Sequence, residues 1–188
     1  MKLNNLKKIG FTAILLLSCF SAFGQRYLTR EGKIKFYSHA PMEDITAHNN
    51  KVLSIIDIDK GQVAVDMLIK AFEFEKKLMQ EHFNENYMES DEFPKATFKG
   101  SFEVPQGLKQ MTAGSYEVAV TGDLTIHGVT KPLKQNITLK VEDKSITTHF
   151  VFNVKVKDHD IKIPNLVVKN IAEEIEVTAD FVFKPFER

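Results

Sequence analysis

The chain has 188 residues, with 25 Lys and Arg against 25 Asp and Glu, and one cysteine, Cys19. Basic and acidic residues are equal in number, so the composition gives no sign of a basic face of the kind that binds nucleic acid or an anionic membrane surface. No nucleic-acid partner is expected. The length suits a single domain whose core is large enough to fold without disulfides.

The first 24 residues have the three parts of a secretory signal peptide. Three lysines precede an apolar stretch over 11–20, and Ala22-Phe23-Gly24 supplies the small residues that signal peptidase reads. The apolar stretch is short for a permanent membrane anchor, which is the less favoured alternative. The leader therefore predicts export of the protein that follows it.

We accordingly divide the chain into a signal peptide over 1–24 and one domain over 25–188. Cleavage before Gln25 predicts a periplasmic or secreted protein. Lipidation at Cys19, within a loose lipoprotein box, is the second alternative, since the bulky Leu17 fits the middle of such a box poorly.

The first predicted elements are strands. Residues 33–39 alternate between apolar and polar side chains, and a polar connection is predicted over 40–50. Strands over 52–59 and 62–74 then flank the turn signal Asp59-Lys60-Gly61, which predicts a hairpin.

The periodicity changes at Glu75. Met79, Phe83 and Tyr87 lie four residues apart, the spacing of one apolar stripe on a short helix, and Phe93-Pro94 ends the segment. We predict a helical insertion that flanks or covers one end of a sheet.

Alternation returns after this insertion. Gly128 interrupts it and Pro132 cannot donate into a central ladder, so these two residues bracket a turn between paired strands. Alternation places Leu124 and Ile126 inward and His127 outward. The remaining predictions are a loop over 105–114 and strands over 95–104, 116–127, 133–142, 145–157 and 174–184.

About eight alternating runs and one helical insertion predict an all-β domain, either an antiparallel sandwich or a barrel. The chain has 15 Phe and no Trp. Phenylalanine suits a wall that is apolar throughout, although an ordinary β-sheet core explains the same composition, and composition alone favours that core.

The titratable residues show no pattern of a catalytic or metal site. The six histidines lack metal-ligand spacing, and no nucleophile elbow, phosphate-binding loop or dinucleotide fingerprint is present. We therefore predict no catalytic residue, no metal and no cofactor. His82 and His127 are candidates to orient a polar head group, with a structural, hydrogen-bonded histidine as the more common alternative.

The segment Thr121-Gly122-Asp123-Leu124-Thr125-Ile126-His127-Gly128-Val129-Thr130-Lys131-Pro132 resembles the signature of the YceI-like family of exported bacterial proteins. The resemblance extends to residues 27–36, to Glu81-His82-Phe83 and to 93–98, and so covers nearly the whole domain. Residues 157–164 depart from the Arg-Xaa-Asp-Phe-Gly stretch that the family often carries there.

The resemblance implies an extended antiparallel, lipocalin-like β-barrel of about eight strands whose lumen takes a long-chain isoprenoid or another lipid, such as a quinone or fatty-acyl chain, without catalysis. A filled barrel with a structural or interaction role is the first alternative, an enzyme at the barrel mouth the second, and a homodimer stays open. The apolar faces supply the candidates for the lumen wall: Phe36, Val65, Met67, Leu78, Met79, Phe83, Phe98, Phe102, Leu124, Ile126, Ile137, Phe150, Phe152 and Phe181.

Overall fold

The structure, a computed structural model, describes residues 25–164 and 171–186. The predicted signal peptide and Cys19 lie outside these residues. The strands are β1 Arg26–His39, β2 Asp44–Asp57, β3 Gln62–Leu68, β4 Glu73–Phe74, β5 Lys95–Ser101, β6 Gly114–Ile126, β7 Val129–Glu142, β8 Ser145–Lys155 and β9 Glu174–Pro185.

Short helices connect some of these strands. They are a 3₁₀ turn over Ile69–Ala71, helix α1 over Lys77–His82, a π-helix over Phe83–Tyr87, helix α2 over Gln106–Lys109 and a 3₁₀ turn over Val156–His159. None of the helices within 25–164 and 171–186 is long and apolar enough to cross a membrane.

Eight of the strands close into a barrel. Their order is β1-β9-β8-β7-β6-β5-β3-β2, every pairing is antiparallel, and β2 pairs back onto β1. The two-residue β4 lies at the far edge of β2. The predicted all-β, eight-stranded antiparallel barrel with a helical insertion is therefore confirmed.

The two ends of the barrel differ. The end called here the mouth carries the insertion over 69–94, the β6–β7 turn and the connection from β8 to β9. The opposite end, called the filled end, carries the β2–β3 and β7–β8 turns and α2. Fully buried side chains occupy it, including Ile58, Leu108, Leu139, Ile146 and Phe183.

Two predicted boundaries at the start of the chain were wrong. Strand β2 begins at Asp44, inside the predicted polar connection over 40–50, because the polar Asn49 is fully buried with its hydrogen bonds made. Its amide donates to the Leu68 carbonyl at 3.0 Å and its side-chain oxygen accepts from the Lys51 N–H at 3.0 Å. The predicted strand over 62–74 breaks into β3, the 3₁₀ turn and β4.

Two later elements also differ from the expectation. The predicted loop over 105–114 contains α2, which places Leu108 in the core of the filled end. The predicted helix over the insertion is α1 followed by a π-helix turn, so its apolar stripe does not keep a regular α-helical period.

Candidate functional site

The barrel encloses an apolar lumen of two cavities in series. The outer cavity, of about 280 Å³, lies at the mouth, and the inner cavity, of about 90 Å³, lies toward the filled end. Of the described residues, five line both cavities and so lie where the cavities meet: Ile34, Met67, Ala96, Leu124 and Phe152. The lumen is therefore only partly filled by side chains.

The insertion is fixed to the mouth by a cluster of four phenylalanine rings. Phe36 of β1 lies 5.4 Å from Phe72, 5.6 Å from Phe74 and 5.5 Å from Phe83, measured between ring centroids. Phe83 also lies 5.0 Å from Phe74 and 5.7 Å from Phe72. Aromatic pairs at such distances add about 0.5–1.5 kcal/mol each beyond their buried area, so this cluster holds the insertion over the outer cavity.

Few polar side chains among residues 25–164 and 171–186 reach the outer cavity. They are Ser38, Glu43, His82 and Tyr87. Glu43 accepts a hydrogen bond from Lys76 Nζ at 2.7 Å, and this bond raises the pKa of Lys76 above its usual range. Burial raises the pKa of Tyr87, so its phenol stays neutral and can donate a hydrogen bond. The site can thus hold a chain in its lumen and a polar group at its rim.

His82 lies at this rim, on the exposed side of the insertion and lining the outer cavity. His127 does not line either cavity. Its ring lies outside the lumen, as alternation predicted, in the two-residue turn between β6 and β7, where His127 has a φ of 51° and Gly128 a φ of 73°. The ring does not face solvent either, since His127 is only 9% exposed.

The buried His127 ring joins three elements at the mouth. Its Nε2 is hydrogen-bonded to Glu89 Oε2 at 2.8 Å and its Nδ1 to the His159 carbonyl at 3.1 Å. The ring also packs on Phe93, with 4.5 Å between centroids. His127 therefore has a structural environment and no access to the lumen.

The predicted lumen residues separate into three groups. Leu78 does not face the lumen: it is 61% exposed, because the α1 turn directs Met79 and not its neighbour to the cavity. Phe102 lies in the packed core of the filled end, 8% exposed. The other candidates line the outer cavity (Phe36, Met67, Met79, Phe83, Leu124, Ile126, Phe152) or the inner one (Val65, Phe98, Ile137, Phe150, Phe181, with Met67, Leu124 and Phe152 again).

Several lumen residues were absent from the sequence-based set. Phe72 and Phe74 alternate at the end of the predicted strand over 62–74, and Ile161 and Ile163 alternate after β8. Period-two spacing was the signal for both pairs. The cavity is also lined by Ile45, Ile69, Met88, Val154, Val156, Ile171, Ile175 and Val177.

No group of three or more His, Cys, Asp and Glu side chains with the arrangement of a metal site occurs among residues 25–164 and 171–186. The polar groups at the mouth instead form pairs, such as Lys76 with Glu43 and His127 with Glu89. The described part of the site is thus a binding geometry built on shape and apolar contact.

The sequence profile of the YceI-like domain matches residues 28–183, from the start of β1 to the end of β9. The chain belongs to the YceI-like family. A search of curated proteins found no match.

Solved structures share the fold of this YceI-like domain at low sequence identity. A polyisoprenoid binding domain from Saccharophagus degradans, described as implicated in plant cell wall breakdown, has a TM-score of 0.74 and 13% identity, with 87% of this chain and 99% of that one covered. BcnA of Burkholderia cenocepacia gives 0.67 and 19%, covering 80% and 95%. A Campylobacter jejuni YCEI protein gives 0.61 and 14%, covering 80% and 90%.

Proposed function

We propose that this YceI-like domain binds a long apolar lipid, of the polyisoprenoid, quinone or fatty-acyl type, in the barrel lumen and does no chemistry on it. The observation that supports the proposal most directly is the pair of apolar cavities that meet at Met67 and Leu124. The Saccharophagus degradans neighbour, a polyisoprenoid binding domain, favours the same ligand class.

The energetics of an apolar lumen select for long chains. Burial of each CH₂ group contributes roughly 0.8 kcal/mol, while association costs on the order of 4–15 kcal/mol in lost freedom and ordering. A short fragment barely offsets that cost, whereas ~20 buried carbons contribute about 16 kcal/mol and leave a surplus. The outer cavity, about 280 Å³, is just below the usual size of ligand pockets, which span roughly 300–1,000 Å³. We therefore expect a slender chain.

The polar rim suits a head group better than a reaction. Ser38 Oγ accepts the Ala172 N–H at 2.9 Å and Glu43 is paired with Lys76, so both are already engaged. His82 and Tyr87 are the rim groups that we assign to contact with a polar head. An enzyme at the mouth would need His82 or Tyr87 to react with the bound molecule. We propose instead that these two residues position its head group.

We also propose that the domain acts outside the cytoplasm, after cleavage before Gln25, on the basis of the leader sequence. Lipidation at Cys19 and a homodimer of facing barrels are the alternatives to a soluble, monomeric product. Intact-mass measurement of the exported protein distinguishes cleavage from lipidation, and sedimentation distinguishes the two assembly states.

The test is extraction of the purified domain with organic solvent, followed by mass spectrometry of the extract. We expect a long-chain apolar lipid in near-stoichiometric amount. Met67→Trp places a large ring at the junction of the two cavities, and we expect it to lose the lipid. Leu68→Trp is the matched control, because Leu68 is the next residue on the same strand and is 50% exposed.

Both variants contain a single tryptophan, since the native chain has none, so emission reports whether the ring is buried or exposed. Lipid-free protein that also takes up no polyisoprenoid in vitro would contradict the proposal and favour a structural or interaction role. Equal lipid content in the folded Met67→Trp and Leu68→Trp variants would place the ligand elsewhere.

A further inference from the structure

The barrel wall has one place where the hydrogen-bonded ladder is short. Strands β7 and β8 pair only over 140–142 and 145–147, next to their turn. On its other side β7 pairs with β6 from Val129 to Val141, and β8 pairs with β9 from Ile146 to Lys155. We call the space between 129–139 of β7 and 148–155 of β8 the slit.

One side chain, that of Gln135, bridges the middle of the slit where the backbone ladder is missing. Near its middle, Gln135 Nε2 donates to the Val151 carbonyl of β8 and to the Asn136 carbonyl of β7, each at 3.4 Å. Such long hydrogen bonds are weak, since well-formed N–H···O bonds cluster near 2.9–3.0 Å. Just past the last ladder pair, the buried Thr148 hydroxyl has no partner among the described residues. The slit is therefore held by fewer and weaker bonds than an ordinary pair of strands.

The slit is also a wall of the inner cavity. Alternate residues on both of its sides line that cavity: Leu133, Gln135, Ile137, Thr148, Phe150 and Phe152. Phe150 and Phe152 stack on each other along β8, 5.9 Å apart. A movement of β7 away from β8 would open an apolar path directly into the inner cavity.

The mouth is fastened more firmly than the slit. The insertion is held over it by the four-phenylalanine cluster, by the Lys76–Glu43 ion pair and by the Glu89–His127 bond. Opening the slit at its middle breaks one long hydrogen bond, from Gln135 Nε2 to the Val151 carbonyl. At the mouth end of the slit, His159 Nδ1 donates to the Val129 carbonyl at 3.0 Å, which keeps that end closed.

We propose that the lipid chain enters and leaves the lumen sideways, through the β7–β8 slit, with Gln135 as the residue that closes it. This inference rests on the proposed lipid-binding function. A lateral opening suits a long chain, because the chain need not be threaded lengthwise past the insertion.

The test closes the slit with a reversible cross-link, in a Cys19→Ser background. Continuing the β7–β8 register places Asn136 opposite Val151, and both residues are exposed. The variant is Asn136→Cys with Val151→Cys. Its matched control is Asn136→Cys with Ala119→Cys, because Ala119 is paired with Asn136 on the intact β6 side.

The measured quantity is the exchange rate of cis-parinaric acid, a fluorescent polyene fatty acid, in oxidised and reduced protein. We expect oxidation of the slit variant to slow exchange by about tenfold or more, equivalent to about 1.4 kcal/mol in barrier height, and reduction to restore it. The control should exchange at its reduced rate in both states. Gln135→Ala should exchange about two- to tenfold faster, as expected for the loss of one side chain's hydrogen bonds.

Unchanged exchange in the oxidised slit variant, or equal slowing in the control, would overturn the proposal and direct attention to the mouth. Hydrogen–deuterium exchange supplies a readout that needs no ligand. Slit-facing amides of 130–139 should exchange faster than the amides of the β6–β7 and β8–β9 ladders. If no lipid binds but these amides exchange quickly, the proposed lipid binding is refuted and the opening of the slit is supported. If these amides are as protected as those of the two ladders, the opening of the slit is refuted.

Discussion

Substitution of Gly122 by alanine is expected to destabilise the barrel strongly. Gly122 of β6 is directly opposite Gly100 of β5. A Cβ on Gly122 would lie 2.2 Å from the Lys99 carbonyl oxygen and 2.4 Å from the Gly100 Cα. The neighbouring atoms are backbone, which cannot rotate away as a flexible side chain can.

The magnitude follows from the displacement required. Carbon–oxygen contacts between adjacent strands lie near 3.3–3.6 Å, so β5 and β6 would have to separate by about 1 Å. Forcing an extra methyl group into a packed site costs typically 1–3 kcal/mol, and stretched ladder bonds add to this. With about 3 kcal/mol lost and a shift of roughly 2–4 °C per kcal/mol for a domain of this size, the melting temperature should fall by about 6–12 °C.

The assay is thermal unfolding followed by circular dichroism, with urea unfolding as a second measure. Thr121→Ala is the control, since Thr121 is the preceding residue of the same ladder and is exposed. It should change the free energy of unfolding by no more than about 0.5 kcal/mol. A Gly122→Ala protein that melts within about 2 °C of the parent would refute the steric reasoning.

Two further predictions concern buried side chains. Leu139→Ala should lower the free energy of unfolding, measured with urea, by about 2–5 kcal/mol, because Leu139 is fully buried at the filled end. Leu78→Ala, at an exposed leucine, should lower it by less than about 0.5 kcal/mol. Similar losses in both variants would contradict the assigned burial. Burial raises the pKa of Tyr27 above its ordinary value, so the stability it contributes is present below that value and is lost as pH rises through the folded-state pKa. The free energy of unfolding should therefore fall above about pH 10, and less steeply in Tyr27→Phe; parallel curves for the two proteins would count against this assignment.

The strands were predictable because their signal is local. Alternation fixes which side chains share a face, and most residues placed on the inner face, such as Val65 and Ile137, do line the lumen. The turn at Gly128 was predictable for the same reason, since a two-residue hairpin with both φ values positive favours glycine.

What alternation cannot supply is the height of a residue along the barrel. Phe102 and Phe98 belong to one strand run in the sequence, yet Phe98 lines the inner cavity and Phe102 lies in the core of the filled end. Phe102 belongs to one buried cluster with Leu108 of α2, whereas Phe98 is only partly buried against that cluster. Alternation in the sequence does not record which of these two places an inner-face residue joins.

Polar residues whose side chains point into the barrel were the other reason that sequence-based predictions failed. Asn49 hid the start of β2, because its buried amide finds partners in a carbonyl of β3 and in its own strand. Gln135 reads as an ordinary member of an alternating run, and its bond to Val151 depends on where the β7–β8 ladder ends. The slit could therefore not be predicted from the sequence.

The described chain both begins and finishes at the filled end. The Gln25 N–H donates to Asp59 in the β2–β3 turn at 2.8 Å, and the Phe186 N–H donates to the Arg26 carbonyl at 2.8 Å. Anything attached covalently before Gln25 or after Phe186 therefore starts from the end opposite the insertion. If the protein is attached to a solid support through either of these chain ends, the mouth of the barrel points away from the surface and the slit lies along the side of the barrel. A tether at these positions is thus compatible with measuring uptake from solution.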